Sequence, residues 1–137
     1  MSAVKTIIRA EEDGSISFGD YELSEKTKFS DFQHDGDLYK VKTFKEITRL
    51  ERNDMFVYES VPGTAVSHLS YLSGGMEFTV EGFEDAQITV MGEPDAEYAV
   101  FFDGEEKDSQ KTNLGGKISF SVELGNKKQV KIKVSKI

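Results

Sequence analysis

An all-β fold, an antiparallel β-sandwich with at most one short helix, is predicted by three observations on this chain of 137 residues. Apolar and polar residues alternate with period two, turn-forming pairs bound nearly every alternating run, and ten or more such runs share one short chain. Period two sends alternate side chains to opposite faces of a strand, so each run can offer one face to a core.

Taken in order, Val4, Thr6 and Ile8 alternate with Lys5, Ile7 and Arg9. Glu12-Asp13-Gly14 then supplies a turn, and alternation resumes over 15–23, which reads as a hairpin. Further strands are expected at 28–32, 38–44, 55–60, 64–72, 76–81, 86–91, 97–102, 117–124 and 129–134. Between them stand Asp35-Gly36, Asn53-Asp54, Pro62-Gly63, Gly74-Gly75, Asp103-Gly104, Leu114-Gly115-Gly116 and Gly125-Asn126. One segment is ambiguous. Thr43-Phe44-Lys45-Glu46 fits a helical capping box, with Phe44, Ile47 and Leu50 at helical spacing. A strand over 46–52, paired with 55–60 across Asn53-Asp54, agrees better with its neighbours and is the reading favoured.

Residues 1–72 are expected to form an N-terminal hairpin and meander layer. Residues 73–137 are expected to form a six-stranded module resembling an immunoglobulin or fibronectin type III half. The boundary is sought at Val61-Pro62-Gly63 or Ser73-Gly74-Gly75. Neither half is large enough to bury a full core alone, so one compact unit is predicted.

Charge narrows the partners. Twenty-five acidic against 17 basic residues leave a net charge of −8, which argues against nucleic acid or an anionic membrane surface as partner. Eleven acidic residues and one Lys fall within 77–108, whereas 111–136 carries seven Lys and one Glu. In the last run Val130, Ile132 and Val134 oppose Lys131 and Lys133. An edge strand whose lysines meet Glu77 and Glu81 explains this pattern, and a basic stripe for an anionic glycan is the alternative. The first ten residues lack the apolar run of a secretory signal, so cytoplasmic residence is the expectation, with an exported or particle-associated location left open.

Chemistry is thinly marked. The absence of Cys removes disulfides, thiolate zinc sites and thiol nucleophiles. Two His and no Gly-x-Ser-x-Gly elbow leave a Ser/His/Asp triad unmarked, and no glycine-rich phosphate loop precedes a helix. No cofactor is expected. Asp31, His34, Asp35 and Asp37 place four donors within seven residues and are the candidate metal ligands, although calcium-loop spacing is missing and an Asp-Gly hairpin turn accounts for the same residues. The acidic sets 93–97 and 103–108 read as loops; a glycoside-cleaving carboxylate pair drawn from such residues would need a separation of roughly 5 to 10 Å. Strand tyrosines are the remaining lead. Tyr39, Tyr58 and Tyr71, with His68, are the candidate ligand-binding residues, as sugar-stacking rings or subunit contacts, against the alternative of burial under a second layer.

The segment Glu97-Tyr98-Ala99-Val100-Phe101-Phe102-Asp103-Gly104, followed by Lys111-Thr112-Asn113-Leu114-Gly115-Gly116-Lys117-Ile118-Ser119-Phe120, resembles small accessory β-sandwich modules found beside polysaccharide-degrading enzymes. The stretch from Leu38 through Val66 and Glu81 to Val90 is similar to small stand-alone bacterial proteins labelled "endosialidase". The resemblance implies a β-sandwich and a glycan or phage-like context. None of the catalytic residues of the large phage endosialidases has a counterpart here, so it carries over no catalytic residue. The expected function is a non-catalytic binding or assembly protein, homo-oligomeric, with a surface glycan or another subunit as partner. A self-associating subunit of a phage-like particle and a small glycan-active enzyme using a carboxylate pair are the alternatives.

Overall fold

The computed structural model describes residues 3–125 and 128–137. Thirteen strands and no α-helix are found among them: β1 (Ile8–Ala10), β2 (Ile16–Phe18), β3 (Thr27–His34), β4 (Asp37–Phe44), β5 (Ile47–Arg52), β6 (Met55–Val61), β7 (Ala65–Leu72), β8 (Gly75–Glu81), β9 (Ala86–Met91), β10 (Glu97–Phe102), β11 (Glu105–Lys111), β12 (Lys117–Val122) and β13 (Gln129–Lys136). Asn126 of the expected Gly125-Asn126 turn lies outside the described residues. The strands form two antiparallel sheets packed as a sandwich, in the orders β1-β2-β7-β8-β13-β10-β11 and β12-β9-β6-β5-β4-β3.

The sequence halves do not form separate layers. Residues 1–72 supply β1, β2 and β7 to one sheet and β3 to β6 to the other, and residues 73–137 likewise divide between both. The halves therefore lie side by side, meeting at β7 against β8 in one sheet and at β6 against β9 in the other. A single cluster of buried side chains runs through both, from Ile8 and Val41 to Ile118 and Val134. At its centre Tyr58 meets Phe18 and Phe78 edge to face, with ring centroids 5.4 and 5.5 Å apart. Such aromatic pairs stabilise by about 0.5 to 1.5 kcal/mol beyond area burial.

The ambiguous segment is a strand. Lys45 and Glu46 form the turn between β4 and β5, and β5 pairs with β6. Thr43 does not cap a helix; its hydroxyl accepts the Asp20 N–H at 3.0 Å and meets the Thr48 hydroxyl at 2.8 Å. Thr48 in turn donates to the Thr64 carbonyl at 2.8 Å, and the Thr64 hydroxyl meets those of Tyr58 and Ser60, each at 2.7 Å. Every member is buried and paired, as a polar network inside a core must be.

Two expectations are corrected. Residues 103–108 are not all loop: Asp103 and Gly104 make a tight turn with positive φ at both positions, and β11 follows. Its sequence shows no alternation because six of its seven residues are exposed and the other, Gln110, is half-buried; a charged edge strand of this kind blocks further pairing. Conversely, β13 is not an edge strand. It lies between β8 and β10, and part of the clustered charge is paired within the fold. Lys131 meets Glu77 at 3.0 Å, Lys136 meets Glu93 at 3.2 Å and Lys111 meets Asp95 at 3.4 Å. Glu81 is buried and is bonded instead by the amide of Gln129.

Antiparallel connectivity decides where the turns collect. The connections β1–β2, β3–β4, β5–β6, β7–β8, β9–β10 and β11–β12 all lie at one end of the sandwich, since Ile16 pairs with Leu69, Tyr39 with Arg52 and Lys117 with Met91. This is the turn end, and it holds the two clefts described next.

Candidate functional site

Bulges prepare this end. In β7 the pairing slips between Ser67 and Ser70, and His68 takes a left-handed φ of 54°. One inserted residue reverses the parity of everything after it, so Val66 and Leu69 both reach the core although three positions apart. His68 is turned outward, its side chain 57% exposed. A second bulge in β3, with Asp31 at φ 61°, lets Phe29 and Phe32 approach edge to face at 6.2 Å.

A polar cleft of about 340 Å3 opens beside Tyr71. His34, Asp35 and Asp37 reach it from the β3–β4 turn, Asp13 from the β1–β2 turn, and Ser70 and Tyr71 from β7. The turn residues are there because Asp35 and Gly36 both adopt positive φ, the condition of a tight two-residue hairpin. His34 is held by its Nε2, 2.8 Å from the Gly14 carbonyl and 3.3 Å from Asp35. Asp37 accepts from the Asn53 amide at 2.9 Å. Tyr39 also lines the cleft, almost wholly buried, its hydroxyl 3.3 Å from that of Tyr71.

Tyr71 is 43% exposed and is the hinge of the arrangement, lining both this cleft and a second. The Arg52 guanidinium lies 4.5 Å from its ring centroid. Burial of its hydroxyl and the bond with Tyr39 hold that phenol neutral well above the ordinary range. The second cleft, about 350 Å3, is apolar and enters between the sheets, lined by Met55, Phe56, Met76, Met91, Tyr98 and Ile118.

Not all the expected residues belong here. Tyr58 is fully buried with its hydroxyl bonded to Thr64, so it is a core residue and not a ligand contact; the desolvation of its phenol raises its pKa. His68 and Asp31 line neither cleft. Asp31 stands exposed in the β3 bulge and does not line the cleft that His34, Asp35 and Asp37 share, and no group of three His, Asp or Glu among the described residues has metal-holding geometry. The four do not form a metal centre.

His68 instead joins a hydrogen-bonded knot. Its Nδ1 lies 3.1 Å from the Ser15 hydroxyl and 3.2 Å from Asp13, and Ser15 donates its own proton to Asp13. Ser15 and Asp13 thus meet the same ring nitrogen, and the Glu11 carboxylate stands 4.0 Å from the other, beyond hydrogen-bonding reach, whereas a nucleophile-activating triad needs serine and a bonded carboxylate on opposite nitrogens. Ser15 is also buried. Ser17 donates to Glu11 at 2.5 Å and accepts the backbone N–H of His68 at 3.1 Å. These hydroxyls hold the Glu11 and Asp13 carboxyls below their ordinary pKa values.

Sequence reasoning missed Asp13 and Ser70 as partners of the polar cleft, and it missed the methionines altogether. Met55, Met76 and Met91 are too far apart in the chain to form a motif. With the geometry in view, the class is clear: an antiparallel β-sandwich with two clefts at its turn end. No protein-family model, no curated protein and no solved structure matches the chain.

Proposed function

We propose that the protein is a non-catalytic binding module whose ligand is a neutral or amino-bearing saccharide seated in the polar cleft. One observation supports this reading above the others: an exposed tyrosine ring, three carboxylates, His34 and Ser70 share one cleft of sugar size. A sugar ring presents an apolar face of C–H groups for stacking and a rim of hydroxyls that donate to carboxylates. Asp13, Asp35 and Asp37 oppose an anionic polymer such as polysialic acid, which separates this ligand class from the chemistry suggested by the "endosialidase" resemblance. The glycan context of the accessory modules that the C-terminal half resembles agrees with the proposal.

Titration calorimetry against neutral and amino oligosaccharides, with polysialic acid as the anionic arm, tests it. Binding of a neutral or amino sugar without release of reducing ends, lost in Tyr71→Ala, is the expected result. Release of sugar from any member, or heat from the anionic arm alone, overturns it. A second reading, self-association through the turn end, is favoured by the exposure there of Leu38, Met55 and Leu72. Light scattering that gives a monomer at high protein concentration removes it.

A further inference from the structure

The apolar cleft is a site of another kind. Three of the chain's four methionines line it, with Phe56 and Ile118, and such side chains shape themselves to apolar ligands. Its volume falls at the small end of the roughly 300 to 1,000 Å3 range of small-molecule sites. Glycine keeps it open. At Gly92 a Cβ would stand 2.8 Å from the Tyr98 ring and 2.9 Å from the Ile118 side chain, so any larger residue would displace the floor. That constraint is spatial, because Gly92 is not among the residues with positive φ.

The polar groups around the cleft are unequal. Asn53 is committed, accepting the Leu38 N–H and donating to Asp37, each at 2.9 Å. Glu93 is paired with Lys136, and the Tyr98 hydroxyl accepts the Glu93 N–H at 2.8 Å. Arg52 differs. Its only carboxylate contact among the described residues, Asp37, stands at 3.9 Å, and its other polar neighbours are the phenols of Tyr39 and Tyr71, which leave donors over from its five N–H groups. The remaining donors form a fork suited to a carboxylate, and its carbon lies 4.5 Å from the Tyr71 ring centroid.

We propose that this cleft binds a small, largely apolar molecule bearing a single carboxylate, its apolar body among Met55, Met76 and Met91 and its carboxylate on Arg52. The site shares Tyr71 with the saccharide cleft but does not rest on the saccharide reading.

Methyl-labelled methionine NMR on the full chain, titrated with octanoate and in parallel with octanol, tests the proposal. Octanoate is expected to shift the methyl signals of Met55, Met76 and Met91 saturably. Arg52→Gln is expected to weaken octanoate about tenfold and to leave octanol unchanged. Leu114→Gln, at an exposed turn residue outside the cleft, provides a folded control in which all three reporters still shift. Absence of saturable shifts overturns the proposal, as does an equal loss of octanoate and octanol in Arg52→Gln. Methyl shifts that follow protein concentration without ligand also overturn it, because a second copy then occupies the cleft.

Discussion

The Arg52 guanidinium lies 4.5 Å from the ring centroid of Tyr71, the residue that lines both the polar and the apolar cleft. The strands bearing the two residues belong to different sheets, so the contact also bridges the open end of the sandwich. Tyr71→Phe keeps the ring and removes only the hydroxyl, whose 3.3 Å bond to Tyr39 is long. We expect it to cost under about 1 kcal/mol in denaturant unfolding and to preserve saccharide binding, whereas Tyr71→Ala abolishes binding.

Tyr21→Phe is expected to be more damaging although it too removes one oxygen. The Tyr21 hydroxyl donates to the buried Glu81 carboxylate at 2.6 Å, while its ring packs edge to face on Phe83 at 4.7 Å. Loss of the donor leaves a buried carboxylate oxygen short of a partner, at a cost of about 1 to 3 kcal/mol. Urea unfolding of the variant reads this, and a cost near zero would mean that Glu81 finds another donor.

Thr64→Val tests the buried hydroxyl network. The valine keeps the shape but leaves the Tyr58 and Ser60 hydroxyls without their shared partner. A loss of about 1 to 3 kcal/mol is expected, with clefts and ligand binding unchanged because the network lies at the opposite end.

Acid should loosen the β1–β2 turn. The carboxyls of Glu11 and Asp13 have pKa values lowered in the folded state, chiefly by the hydroxyls of Ser17 and Ser15. A lowered folded pKa gives stability that is present above the unfolded value, 4.5 for Glu and 3.8 for Asp, and is lost as pH falls through the folded one. Both groups are near the surface, so the effect is modest. Ser17→Ala is expected to shrink the acid dependence between pH 5 and 3, read as a smaller drop in unfolding midpoint over that range.

Alkali acts in the opposite sense on the tyrosines. Burial raises the folded pKa of Tyr21, Tyr58 and Tyr71 above the ordinary 10.0. Their contribution is complete below pH 10 and is lost as pH rises beyond it. Spectrophotometric titration should show these three phenols ionising only as the protein unfolds, while a phenol that titrates reversibly near pH 10 in the folded state would exclude its residue from the group.

Much of the fold is legible because its causes are local. Alternation marks β4, β8, β9 and β12, and Asp35-Gly36, Asn53-Asp54 and Asp103-Gly104 adopt the positive φ values that those residue types tolerate. β11 was not legible, since a strand with no buried face has no reason to alternate. The parity of β7 was hidden for another reason. A bulge leaves no mark in residue type, yet it sends Leu69 inward and His68 outward.

For the candidate site, sequence marked His34, Asp35, Asp37, Tyr39 and Tyr71 as residues of interest, and these do line one cleft. It ranked Tyr58 with them, because a strand tyrosine reads the same whether its face meets solvent or a second sheet. The amino-acid sequence by itself determined that this protein is built of antiparallel strands with tight turns, because period and turn chemistry act over two to four residues. Only the tertiary structure decided which strands are neighbours, which charges cancel and which turns share an end. Those outcomes depend on pairing between segments far apart in the chain, and the physical reason is that a β-sheet closes its hydrogen bonds and buries its faces between strands, not within them.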